Sequence, residues 1–338
     1  MHRLHIALLA CLLCVAPQGA LAQTLKIATL APEGTTWMNE MQKGGQEIAR
    51  RTGGRVQLRF FPGGVMGNDQ SVLRKIRVDQ LQGGAVTGSG LEQIFAESQI
   101  YSLPFAFRSY AEVDYVRQRM DPVLIDGLKQ AGFTSFGLGE GGFAYILSQQ
   151  PIGGVGDVKN RKVWIPEGDR VSRAIFEVID AAPVPLPLTD VLTGLQTGLI
   201  DTVGAPPVGA IALQWHTRVK YLTDAPLFYT YGTLVIANKA FARLEPADQA
   251  VVEDVMGKVF ATLNRQTRAD NASAREALQR QGIQFIQPTP QELERWRQVA
   301  AEATRRLVES GVYSPALVKT LRGHLDDYRK RVSSAARP

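Results

Sequence analysis

The sequence predicts an α/β protein built as two lobes, joined by strands that cross between them and braced by one long helix. Three observations carry that prediction. The stretch from Arg161 to Pro207 reads strand, helix, strand, helix, strand, an order that makes a parallel sheet with helices on its faces. Two extended segments, Phe143 to Ser148 and Phe228 to Ile236, flank that stretch and would carry the chain across and back. A helical pattern from Pro246 to Gln281 contains no further proline. At 1.5 Å per residue it reaches about 54 Å, longer than one small lobe. A chain of 338 residues also exceeds one ordinary core. The expected division is lobe I at 23–145 and 235–338, and lobe II at 146–234.

The elements follow in order. Leu25 to Leu30 is a strand leading through Ala31–Thr36 to a helix from Trp37 to Arg51, stopped by Gly53-Gly54. Arg55 to Phe61 alternates as a strand, and Pro62-Gly63-Gly64 turns the chain. A helix over Asp69 to Gln80, a strand over Gly84 to Thr87 and a loop at Gly88-Ser89-Gly90 come next, then an apolar loop, Leu103 to Phe107. Two helices, Tyr110 to Arg119 and Val123 to Ala131, precede a strand from Thr134 to Leu138. In the central stretch, Val163 to Ile165, Val184 to Leu188 and Leu199 to Val203 are strands, and Val171 to Asp180 and Thr189 to Gly198 are helices. Ligands of such sheets sit at the carboxyl ends of the strands, here near Trp164-Ile165 and Gly204 to Pro206. Ile211 to Leu222 reads as a helix carrying Trp215 and His216. After the long helix, a strand at Gln284 to Ile286 and helices over Pro290 to Glu309 and Ser314 to Ala335 close the chain.

The first 22 residues read as a cleaved export leader. Met1-His2-Arg3 gives a positive start, Leu4 to Val15 an apolar run too short to span a bilayer, and Ala20-Leu21-Ala22 a small-residue cleavage site before Gln23. Both cysteines, Cys11 and Cys14, lie inside it, so the exported product has no thiol chemistry and no disulfide. Nothing later is long and apolar enough for a membrane span, and a soluble exported protein is expected. The net charge of +6 is spread along the chain with no basic stripe among aromatics, which argues against nucleic acid. Gly137-Leu138-Gly139-Glu140-Gly141-Gly142 matches a dinucleotide fingerprint in spacing, but an extended segment follows where a helix is required, so it reads as a turn. Four histidines, two of them in the leader, build no common metal site. Neither cofactor nor catalysis is expected.

A set of motifs in fixed order resembles a known family. Thr52-Gly53-Gly54-Arg55-Val56, Phe61-Pro62-Gly63-Gly64, Gly67-Asn68-Asp69, Leu103 to Phe107, Gly142-Phe143, Lys162 to Gly168, Pro183 to Pro187 and Leu195 to Asp201 look like those of the dicarboxylate-binding (DctP-like) periplasmic proteins of TRAP transporters, which are tripartite and ATP-independent. The resemblance covers essentially all of the chain after the leader. It implies a two-lobed periplasmic binding protein fold with hinge strands near Ser148 and Thr233, a periplasmic location, a small-molecule ligand held between the lobes, and delivery to membrane permease subunits. It leaves open a monomer or a homodimer. A sensor or carrier serving another partner uses the same cleft, and an exported enzyme is the remote alternative.

Three departures from the family pattern bear on the ligand. Where organic-acid binders of the family usually read K-I-R-V-P, this chain has Lys162-Val163-Trp164-Ile165-Pro166. The usual G-F-R is Gly142-Phe143-Ala144, and the usual E-N-P is Gly204-Ala205-Pro206. Two arginines and an asparagine are replaced. Trp offers one N–H donor and no charge where Arg offers a planar fork, and a buried carboxylate deprived of its cation loses about 2–5 kcal/mol. Such a pocket suits an apolar or aromatic ligand, or a cation on the Trp face. The candidate ligand-binding residues are Trp164, Ala205, Ala144, Phe143, Trp37, Phe105, Trp215 and Glu33. Tyr145, Glu140 and His216 stand behind them, with Arg170 or Arg173 as replacement for the lost arginine.

Overall fold

The computed structural model describes residues 22–335. All of the expected leader (residues 1–22) but Ala22, including both cysteines, lies outside the described residues. The chain opens with β1 (Gln23–Thr29), α1 (Thr36–Arg51), β2 (Val56–Phe61), α2 (Asp69–Arg77), β3 (Gly83–Val86) and α3 (Gly88–Ile94). A 3₁₀ segment (Ala96–Ser102), α4 (Tyr110–Gln130) and β4 (Phe133–Ser135) complete this part. β5 (Gly139–Ser148) leaves it, and α5 (Val155–Val158), β6 (Trp164–Pro166), α6 (Arg170–Val178), β7 (Val184–Leu186), α7 (Val191–Thr197), β8 (Thr202–Ala205) and α8 (Pro207–Ala212) follow. β9 (Tyr221–Ala237) returns, succeeded by α9 (Asn238–Phe241), α10 (Pro246–Arg280), β10 (Gln284–Ile286), α11 (Pro290–Glu309) and α12 (Pro315–Ala335).

Two long strands make two lobes out of one sheet, whose path runs β2-β1-β3-β9-β5-β8. At its carboxyl end β9 pairs with β3 and β4, from Thr233 to Ala237. At its other end, Tyr221 to Thr223 pair with β10, and between these β9 runs antiparallel to β5. β5 in turn carries β8 through Tyr145 to Ser148. The parallel order expected in the central stretch holds for β6 with β7 and for the bridge from Val163 to Thr202, while the outer partner β5 runs antiparallel to β8.

Helix α10, about 52 Å long at its 35 residues, ties the lobes together. Val252, Met256, Phe260 and Leu263 enter the core of the first lobe, and Leu278 enters that of the second. Its asparagines grip β5 between them. Asn264 accepts from the Glu140 amide at 2.7 Å and donates to the Leu138 carbonyl at 3.1 Å, and Asn271 donates to the Gly141 carbonyl at 2.9 Å.

Four local readings are corrected. Gly88-Ser89-Gly90 is the first turn of helix α3, not a loop. The two helices expected around Pro122 are one, α4. Pro122 and Gln118 both face solvent, so the carbonyl that loses its N–H partner is open to water. Residues Gly139 to Gly142 are not a turn but the bulged start of β5, with the register shifting between Glu140 and Gly142 and Gly142 at φ 97°. The helix expected over Ile211 to Leu222 stops at Ala212; Gln214 takes a left-handed conformation, φ 60°, a short 3₁₀ turn holds Trp215, and β9 has begun by Tyr221. Among the described residues, no helix is long and apolar enough to cross a membrane.

Candidate functional site

A cavity of about 620 Å³ lies between the lobes, within the usual range for small-molecule sites. The first lobe contributes Trp37, Asn68, Asp69, Thr87 and Gln99, and the second contributes Trp164, Phe176, Ala205 and Trp215. Phe228 and Tyr231 reach it from β9, and Trp296 from α11.

The aromatic wall is built from the β6 end and the turn after α8. Trp164 and Trp215 meet edge to face, 5.1 Å between centroids at 74°, and both are almost wholly buried. The one donor of Trp164, Nε1–H, is spent on the Leu186 carbonyl of β7 at 2.9 Å. What Trp164 offers the cavity is therefore apolar ring surface.

The charge balance of the lining is one-sided. Among the described residues the cavity is lined by no Lys, Arg or His, while Asp69, Glu140, Glu167 and Asp169 all line it. Three of these acids have their charge met elsewhere. Glu140 accepts from Arg268 Nε at 2.9 Å and Nη2 at 2.8 Å, and from Tyr229 Oη at 2.9 Å. Asp169 caps α6, accepting from the amides of Val171 and Ser172 and the Ser172 hydroxyl; burial nonetheless pushes its carboxyl up. Glu167 is solvent-exposed and receives one long contact, 3.4 Å, from Asn68.

Asp69 is different. Its Oδ2 accepts from the Thr87 hydroxyl at 2.5 Å and amide at 3.2 Å, but Oδ1 is buried with no protein partner. Burial drives its pKa from 3.8 up to about 6, and only the Thr87 bonds oppose the rise. Gln99 Nε2 is likewise buried without a protein partner. The Tyr231 hydroxyl lies near the Tyr101 backbone without forming a well-aligned bond.

Of the sequence candidates, Trp164, Ala205, Trp37, Trp215 and Glu140 line the cavity. The others do not. Phe143 packs on Tyr110 and Tyr229 at 4.9 and 5.8 Å. Ala144 is fully buried in β5 opposite Phe228. Phe105 stacks at 6.3 Å on Trp296, which takes the lining position itself. Glu33 is exposed and accepts from Gln42 at 2.7 Å. Tyr145 lies under Arg275, and His216 Nδ1 is 3.1 Å from the Ala210 carbonyl. Neither Arg170 nor Arg173 lines the cavity. Arg170 instead pairs across the cleft with Glu92 of α3, whose carboxyl burial pushes up while Arg170 holds it down. Asp69, Gln99, Tyr231 and Glu92 escaped the sequence reading as site residues; only Asp69 fell within a quoted motif. Among the described residues, no cluster of His, Cys, Asp and Glu is arranged to hold a metal.

Residues 27–310 match the bacterial extracellular solute-binding protein family 7, DctP. The C4-dicarboxylate-binding periplasmic protein DctP of Rhodobacter capsulatus is 24% identical over 280 residues, 81% of this chain and 84% of its own. A TRAP periplasmic solute-binding protein of Desulfovibrio salexigens, solved with orotic acid, superposes with a TM-score of 0.82 at 18% identity, covering 90% of this chain and 99% of that one. The sugar acid binding protein of Advenella mimigardefordensis, solved with galactonate, also gives 0.82, at 19% identity over 92% of this chain and 99% of its own. These likenesses establish the two-lobed fold.

Proposed function

The chain belongs to the bacterial extracellular solute-binding proteins of family 7, and from that premise we propose that it takes up a small molecule in the periplasm and hands it to a TRAP-type membrane permease. The ligand proposed is apolar or aromatic, not a simple dicarboxylate. Lobe II, bounded near residues 146 and 234, closes on lobe I over it, and the Glu92–Arg170 pair holds the closed form.

One observation carries the ligand reading: a cavity lined by four carboxylates and, among the described residues, by no cation. The solved relatives from Desulfovibrio and Advenella hold organic acids. An acid placed here meets the face of Trp164, whose N–H is already engaged, and the half-bonded carboxylate of Asp69. Desolvating a carboxylate without a partner cation costs about 2–5 kcal/mol, and like charges add to that cost. Apolar surface against Trp164, Trp215 and Phe176 gains about 25 cal/mol per Å² removed from water.

The test is a thermal-shift screen of residues 23–338 with matched pairs, each an organic acid and an uncharged aromatic or long-chain analogue. A ligand at 100 times its Kd adds about 2.7 kcal/mol, a rise of a few degrees. Shifts confined to the uncharged members support the reading. Shifts confined to the acids refute it.

A further inference from the structure

We infer that the lobe I wall of this cavity, at Asp69 and Gln99, is a subsite for a protonated amine, so that the ligand is an amine carried on an aromatic or apolar body. The inference rests on the apolar-pocket reading above and goes beyond it by naming the polar end of the ligand.

Asp69 is 7% exposed and Gln99 4%, and both line the cavity. Each carries a buried polar atom with no protein partner, Oδ1 of Asp69 and Nε2 of Gln99. Buried polar side-chain atoms are nearly always hydrogen-bonded, and leaving one unpaired is destabilising. Both atoms are sealed from the cavity as the side chains stand, yet both residues line it, so a turn of each side chain about its last torsion lets a ligand supply the missing partner. The local sequence is fitted to hold them there. A Cβ on Gly88 would stand 2.6 Å from Gln99 Nε2, and one on Gly90 would stand 2.8 Å from Asp69 Oδ2. The first turn of α3 lacks side chains at these two positions because the two groups pack against it.

The charge of the missing partner follows from its surroundings. The Asp69 carboxylate is met by hydrogen bonds from Thr87 alone, with no Lys, Arg or His on the cavity wall among the described residues. An ammonium gives Oδ1 a charge-assisted bond, shorter and stronger than a neutral one, and removes an uncompensated buried charge. Gln99 complements it, because an amide turned about its last torsion presents its oxygen in place of its nitrogen. Across the cavity, Trp164, Trp215 and Phe176 receive the apolar body.

The probes are three matched series on indole-ethyl, naphthyl-ethyl and n-octyl bodies, each ending in an amine, a hydroxyl or a carboxylate. Binding is measured by titration calorimetry on residues 23–338 and on Asp69→Asn, whose fold is checked by its unfolding transition. The expected result is that at least one amine binds tenfold or more tighter than its hydroxyl and carboxylate analogues. Asp69→Asn should erase that preference by weakening the amine at least tenfold more than its hydroxyl analogue. Hydroxyl analogues binding as well as amines would overturn the amine subsite and leave the apolar pocket standing. Carboxylates binding tightest would overturn both. A panel in which no amine binds, or an amine preference that survives in Asp69→Asn, would also overturn the subsite.

Discussion

Asp69→Asn is expected to gain stability relative to the unsubstituted, ligand-free protein as pH rises from 4 to 7. The Asp69 carboxyl titrates near 3.8 in the unfolded chain and at about 6 in the folded one, because burial disfavours its charge. Its folded pKa is raised, so between those values the folded state holds the proton more tightly. Stability contributed by this group is present below pH 4 and is lost as pH rises through 6. The separation of about 2.2 units, at 1.36 kcal/mol per unit, gives about 3 kcal/mol as an upper bound. Asparagine keeps the Thr87 contacts through its oxygen and never ionises. Its amide introduces a fixed cost at all pH values, so the quantity to follow is how the mutant–wild-type difference changes between pH 4 and pH 7. Glu92 and Asp169 are also raised by burial, but they are common to both proteins and cancel. Urea unfolding at half-unit pH steps measures the difference. It should move in favour of the mutant by about 1–3 kcal/mol between pH 4 and 7, equivalent to a few degrees in Tm, and flatten above. A difference constant across that window would refute the claim that Asp69 is a buried carboxylate without a counter-charge.

Other expectations follow from the same geometry. Arg170→Ala removes the cross-cleft partner of Glu92, whose side chain is 3% exposed while that of Arg170 is 48%. With the exposure of Arg170 discounted, the loss is about 1–2 kcal/mol, read as a 5- to 30-fold weaker ligand affinity and a larger radius of gyration of the ligand-bound form in solution scattering; an unchanged affinity would remove the pair from the closing device. Gly88→Ala should leave stability within about 1 kcal/mol, because the atom it meets is the mobile end of Gln99, yet weaken amine binding in calorimetry. Trp215→Ala should destabilise by about 3–5 kcal/mol in chemical unfolding, since Trp215 is 2% exposed and props Trp164; a smaller cost would mean the aromatic wall is not rigid.

The sequence made the scaffold legible where its residues speak locally. Helix α11 begins at Pro290 and ends at Glu309, as its cap and glycine stop indicate, and α10 needed only its length and its apolar spacing. Legibility failed where tertiary contact decides. The glycines of α3 look like loop residues until Gln99 and Asp69 are seen packed on them. The glycines of β5 look like a turn until Asn264 and Asn271 are seen holding the bulge. The motif positions put Trp164 and Ala205 on the cavity wall, but Phe143, Ala144 and Phe105 face other cores, because which side a strand or loop residue takes depends on the sheet behind it. Asp69 and Gln99 stayed hidden for a further reason. An unpartnered buried atom is defined by what is not beside it, and a single sequence carries no record of that.

The most direct measurement is the identity of the molecule the protein carries when it is purified without denaturation from its own cells, released by acid and read by mass spectrometry. The expected molecule is an aromatic or long-chain compound without a carboxylate, and an amine among such compounds. A dicarboxylate or a sugar acid recovered in stoichiometric amount would contradict it, and would mean that a cavity lined by Asp69, Glu140, Glu167 and Asp169 with Trp164 holds an anion after all.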